Sequence, residues 1–132
     1  MKGGLVLIVG AILGFSSQAA ADDFQKSARS GQKSLMRQYA NFNILDCSPH
    51  AGKVSVVKQP ANGTLSTAAA PYIIDINRFT GTRSRCAGKR VIGLNVYYTP
   101  NRGFRGTDQF TVRAIYREGS FSATDRFTVE VR

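Results

Sequence analysis

The segment Tyr97-Tyr98-Thr99-Pro100-Asn101-Arg102-Gly103-Phe104-Arg105-Gly106-Thr107-Asp108-Gln109-Phe110-Thr111 leaves few folds open to this chain. A β-prone run meets a Pro/Gly turn and restarts behind an acidic residue and a large aromatic. On both sides of the turn, apolar residues recur at every second position, which lines them along one face of a strand. Leu94, Val96 and Tyr98 share such a face before the turn. After it, Phe110, Val112, Ala114 and Tyr116 share another, with Thr111, Arg113 and Arg117 opposite.

The same period extends toward both ends. Ala40, Phe42 and Ile44 alternate with Asn41 and Asn43, and Val54 and Val56 fall on one face of residues 53–59. Pro60-Ala61-Asn62-Gly63 is a turn signal, followed by a short strand at Thr64-Leu65-Ser66-Thr67 and a β-prone run at Tyr72-Ile73-Ile74-Asp75-Ile76. Residues 78–90 read as a polar loop, and Glu118-Gly119-Ser120 as a hairpin loop ahead of Phe127, Val129 and Val131. About seven short strands with regularly spaced turns predict an all-β domain over residues 35–132, an immunoglobulin-like β-sandwich, with a small barrel as the alternative.

The first residues have a different character. Met1-Lys2, an apolar run from Leu5 to Phe15 and the small residues Ala19-Ala20-Ala21 form the pattern of a signal peptide over residues 1–21, cleaved near Ala21. The run is shorter than the roughly 20 apolar residues a spanning helix needs, so the chain is not expected to span a membrane. Residues 22–34 are polar and mixed in charge, and read as a flexible N-terminal arm without chemistry of its own. The expected location is periplasmic or secreted.

Charge and cysteine content narrow the partners. The formal net charge of +10 falls by one, to +9, once Lys2 is removed with the leader, because all eight acidic residues lie beyond it. Such a charge favours polyanions, such as acidic glycans, lipid head groups or acidic proteins, and equally serves plain solubility. Cys47 and Cys86 are the only cysteines. In an exported chain an even pair reads first as a disulfide. Closing a loop of about 40 residues stabilises by about 4 kcal/mol in the chain-entropy model. The competing reading, a zinc site of Cys47, His50 and Cys86, is one ligand short of a closed tetrahedral set. No metal and no cofactor is therefore expected.

Gln59-Pro60-Ala61-Asn62-Gly63-Thr64-Leu65, Tyr98-Thr99-Pro100, Gly103-Phe104, Gly106-Thr107-Asp108 and Phe110-Thr111 together resemble the bacterial immunoglobulin-like and cadherin-like repeat modules. The resemblance covers roughly residues 53–132. It implies a sandwich scaffold used for adhesion, spacing or protein contact, with no shared catalytic activity. The chain departs from it in carrying a single module, and it lacks the Trp of antibody-type cores. Its dispersed carboxylates Asp46, Asp75, Asp108, Glu118, Asp125 and Glu130 do not form a cadherin-type calcium cluster. Asp108 is expected to accept hydrogen bonds from loop amides.

No catalytic constellation stands out. His50 is the sole histidine and has no nucleophile-elbow Gly-x-Ser-x-Gly to serve, and no phosphate-cradling glycine loop is present. An enzyme is not expected. The candidate functional surface is cationic: Arg78, Arg83, Arg85, Lys89 and Arg90 in one loop, with Arg102 and Arg105 flanking the Gly103 turn. Were both loops at one end of the domain, they would form a basic rim for phosphates or carboxylates. The reading is an exported envelope module that binds a protein or an anionic glycan or lipid through these loops. The alternative is a structural accessory subunit that pairs with a partner by an edge strand. Nucleic acid is not an expected partner, since export removes the chain from it and no aromatic platform for single strands is evident.

Overall fold

The computed structural model describes residues 18–116 and 121–132, with Gly3 and Gly10. The core of the predicted leader and the predicted hairpin loop at Glu118-Gly119-Ser120 lie outside the described residues. In chain order the strands are β1 (Gln18–Ala28), β2 (Ser34–Tyr39), β3 (Asn41–Phe42), β4 (Pro49–His50), β5 (Lys53–Lys58) and β6 (Gly63–Ile73). They continue as β7 (Ile76–Asn77), β8 (Thr82–Arg83), β9 (Arg90–Pro100), β10 (Gly106–Tyr116) and β11 (Phe121–Val131). The fold is all-β, with no helix among the described residues and so no helix able to cross a membrane.

The seven longer strands divide into two sheets, one ordered β1-β11-β10-β5 and the other β2-β9-β6. All neighbours run antiparallel except β1, which lies parallel to β11. Two-residue ladders β3-β4 and β7-β8 decorate one end. The alternation read from the sequence places side chains from both sheets in one core. Phe110, Val112, Phe127 and Val129 come from the first sheet, Met36, Val96 and Tyr98 from the second. Rings run through it in sequence: Tyr98 stacks on Phe110 at 5.6 Å, Phe110 on Phe127 at 4.7 Å, and Phe127 on Phe24 at 5.2 Å. Such pairs add about 0.5–1.5 kcal/mol each beyond their area burial.

Phe24 corrects the reading of residues 22–34 as a flexible arm. Residues 22–28 belong to β1, which lies along β11 from Gln18 opposite Phe121 to Ala28 opposite Val131. The period-two signal is thin there, because Phe24, Lys26 and Ala28 face the core side and only two of them are apolar. The predicted cleavage point near Ala21 falls within this strand. A second difference concerns β6, which merges the strand expected at Thr64–Thr67 with Tyr72 and Ile73 through Ala68-Ala69-Ala70-Pro71. Pro71 is tolerated because β6 is an edge strand and need not donate on both sides. The strand expected through Ala40, Phe42 and Ile44 instead ends at Tyr39, and only Asn41–Phe42 re-form a ladder.

Cys47 and Cys86 are joined, with Cα atoms 5.6 Å apart. A zinc site is thereby excluded for them, since a metal needs free thiolates. The bridge fastens the loop after β3 to a small satellite core of Ile74, Cys86 and Val91, flanked by Phe42 and Tyr72.

At the opposite end, Asp108 gathers the turn motif. Its carboxylate accepts hydrogen bonds from the amides of Ala61 (3.1 Å), Asn62 (3.0 Å) and Gln109 (2.9 Å) and from the Tyr98 hydroxyl (2.6 Å). Gly63 serves here through close approach: a Cβ at that position would collide with the Tyr98 ring. Gly103 serves through its left-handed backbone, at φ 82°.

Candidate functional site

The structure separates the cations that the sequence grouped. Arg83, Arg85, Lys89 and Arg90 are exposed before or at the start of β9, at the disulfide end. Arg102 and Arg105 are exposed beyond its far end. At about 3.3 Å per residue, an eleven-residue strand sets these groups about 30 Å apart. The loops therefore do not form one basic rim.

Arg78 leaves the group altogether. Its side chain is only 14% exposed and its guanidinium is consumed by carboxylates. It donates to Asp125 at 2.7 and 3.0 Å and to Asp22 at 2.6 Å. Asp125 is fully buried and also accepts the Tyr39 hydroxyl at 2.6 Å. Burial pushes the Tyr39 phenol well above its ordinary range, and the hydrogen bond to Asp125 and its charge push in the same direction. Burial likewise raises the Tyr116 phenol, against the opposing pull of Arg78.

Above this network lies a cleft of about 350 Å³. Its walls come from β2, the segment 40–44, Tyr72 on β6, residues 76–80 and Tyr116 at the end of β10. Phe79 meets Tyr116 edge-on at 5.7 Å. Arg37 on β2 also lines it, with the guanidinium carbon 4.5 Å over the Phe24 ring and Nε 3.6 Å from Asp125. The sequence holds no sign of this site, because its parts come from four separated segments.

Arg105 does have cationic company, but from elsewhere. It lines an open cleft with Arg29, Arg132, Gln32, Ser27 and Ser34. The turn that carries Arg29 is sewn to its neighbours by backbone bonds from Ser30 to Arg132 (2.8 Å) and from Gly31 to Pro100 (3.1 Å). The Ser30 hydroxyl accepts from the Gly103 amide at 2.8 Å and donates to the Asn101 carbonyl at 3.2 Å. None of the three arginines has a carboxylate within ion-pair distance among the described residues. Arg29 and Arg132 were missed from sequence because the first sits in the presumed arm and the second beyond the last apolar position.

Among the described residues no group of His, Cys, Asp and Glu side chains is arranged to hold a metal. No protein-family model matches the chain, and the search of curated proteins finds no significant match.

Proposed function

We propose that this chain is an exported envelope module of immunoglobulin-like architecture that holds an anionic glycan, lipid head group or acidic protein surface in the cleft of Arg29, Arg105 and Arg132. The convergence of three arginines from separate segments, with no carboxylate paired to them among the described residues, carries the reading. Guanidinium forks match phosphate and carboxylate oxygens in pairs, and the serine hydroxyls and Gln32 amide add neutral donors.

Strand order supports the architecture. Counting only the long strands, the second, fifth and fourth form one sheet and the third, sixth and seventh the core of the other. That is the division of immunoglobulin-type sandwiches, in which strands B, E and D face C, F and G. Here the first strand lies beside the seventh. Export is supported by the leader-like sequence and by the disulfide, a bond characteristic of oxidising compartments.

The test is retention on heparin and lipopolysaccharide resins. Changing Arg29, Arg105 and Arg132 together to Gln is expected to weaken binding at least tenfold, about 1.4 kcal/mol, and to lower the salt needed for elution. The set Arg83, Arg85, Lys89 and Arg90 changed to Ser is expected to do less. Equal loss from both sets would replace a site by diffuse charge, and no loss from the first would remove the proposal.

The edge-strand alternative draws on one observation. On β5, at the edge of its sheet, Val56 and Val57 are 41% and 60% exposed. An apolar edge of this kind is a template for β-augmentation. A partner that stays bound at high salt, and is lost on changing Val57 to Lys, would favour it.

A further inference from the structure

The aromatic cleft at the disulfide end shares no lining residue with the basic cleft. We infer that it binds a six-membered ring bearing a carboxylate, with the ring against the aromatic wall and the carboxylate on Arg37.

The cleft has the size of a small-molecule site, at about 350 Å³ against the roughly 300–1,000 Å³ usual for such pockets. Its wall includes Phe42, Tyr72, Phe79 and Tyr116, which offer flat faces and edges to a ring. Apolar residues Ile44 and Ile76 stand at its margin, 38% and 52% exposed.

Arg37 supplies the polar recognition. Asp125 is already satisfied without it: the two Arg78 nitrogens take both carboxylate oxygens, and the Tyr39 hydroxyl adds a third bond. Arg37 stands 3.6 Å off through Nε, which is buried and makes no hydrogen bond. Among the described residues its guanidinium makes no hydrogen bond at all, although the side chain is 29% exposed and lines the cleft. The group is nonetheless held in place, lying over the Phe24 and Tyr39 rings at 4.5 and 5.6 Å. A fixed fork with its donors uncommitted suits a carboxylate, which accepts two parallel N–H bonds. Wall and fork belong to the same cleft, so one molecule bearing both a ring and a carboxylate can engage them together.

Such chemistry has two sources, an aromatic carboxylate and a uronic sugar, whose ring also stacks on aromatic faces. NMR titration of the isotope-labelled protein distinguishes them, using phenylacetate and methyl glucuronide as probes. Benzyl alcohol and methyl glucoside are the ring controls without a carboxylate, and acetate is the carboxylate without a ring. The expected result is that one ring carboxylate shifts the Phe42, Tyr72 and Tyr116 resonances and binds at least tenfold more tightly than its neutral analogue and than acetate. The tighter of the two probes assigns the source.

Arg37→Lys keeps the charge but removes the fork, and Arg37→Gln removes both; each is expected to weaken binding tenfold or more. The Arg29, Arg105, Arg132 triple variant is expected to bind as the parent does, so failure here is separate from failure at the basic cleft. The inference is overturned if the neutral analogues or acetate bind equally well, if the folded Arg37→Lys protein binds unchanged, or if neither ring carboxylate moves the cleft resonances.

Discussion

Among the described residues two carboxylates are buried, Asp108 on β10 and Asp125 on β11, and each accepts a tyrosine hydroxyl at 2.6 Å. Beyond that they are held by opposite means. Asp108 sits near the start of its strand, where the turn after β5 passes close by, and three backbone amides reach it. No cation lies within ion-pair distance of it among the described residues. Asp125 sits in the middle of β11 between two strands, opposite Asp22 on β1 and Val112 on β10. Amides there are committed to the ladders, so a buried charge at that point must be met by side chains. Arg78 meets it with two hydrogen bonds, and Arg37 stands by at 3.6 Å without one. The place of a carboxylate along a strand thus decides whether the backbone or a counter-charge stabilises it.

Neutralising Asp125 should have the largest effect. Asp125→Asn keeps the shape and leaves the largely buried Arg78 guanidinium with only the exposed Asp22 as its anion. Removing one partner of a buried ion pair costs about 3–5 kcal/mol, so urea denaturation should report a loss of that order. A companion variant sharpens the point. Asp125→Leu combined with Arg78→Met removes charge from both sides, and is expected to lose less than Asp125→Asn alone. A larger loss in the double variant would mean that packing around Arg78, and not charge compensation, holds this end together.

Asp108→Asn should cost less, about 1–3 kcal/mol, because the lost partners are neutral donors and one amide oxygen remains to accept. The same urea measurement ranks the two positions. Should Asp108→Asn prove the more damaging, the amide clamp, and not the ion network, would be the stronger constraint on the fold.

The two sites were unequally legible in the sequence. Asp108 stands inside a contiguous motif, and its role as acceptor for loop amides could be read from Pro100, Gly103 and Gly106 around it. The all-β fold and the Cys47–Cys86 bridge were likewise readable, from period-two alternation and an even cysteine pair. Asp125 was not readable: it lies between Thr124 and Arg126 in an ordinary alternating strand, and its partners are 47 and 86 residues away. Arg78 looked like one more loop cation, since nothing local distinguishes a paired arginine from a solvated one. Separation of the remaining cations also escaped, because proximity along the chain says little when an eleven-residue strand intervenes. The strand character of residues 22–28 was hidden by its two apolar positions, which β11 completes only in three dimensions.

The smallest effect is expected on acid titration. Burial alone would raise the Asp108 carboxyl. Hydrogen bonds from Tyr98 and from the amides of Asn62, Gln109 and Ala61 outweigh it and hold the group below the ordinary carboxylate range. Its folded pKa is thus lower than its unfolded one, so the folded state binds fewer protons near that range and stability falls as pH is lowered. The contribution is fully present above the unfolded value, about 3.9 for aspartate, and disappears as pH drops through the folded one. Urea midpoints measured from pH 6 downward should therefore decline in the parent, and decline less steeply in Asp108→Asn. Parallel acid limbs in the two proteins would show that the amide clamp leaves the carboxyl's proton affinity unchanged, and would remove the distinction between the two sites at its most sensitive point.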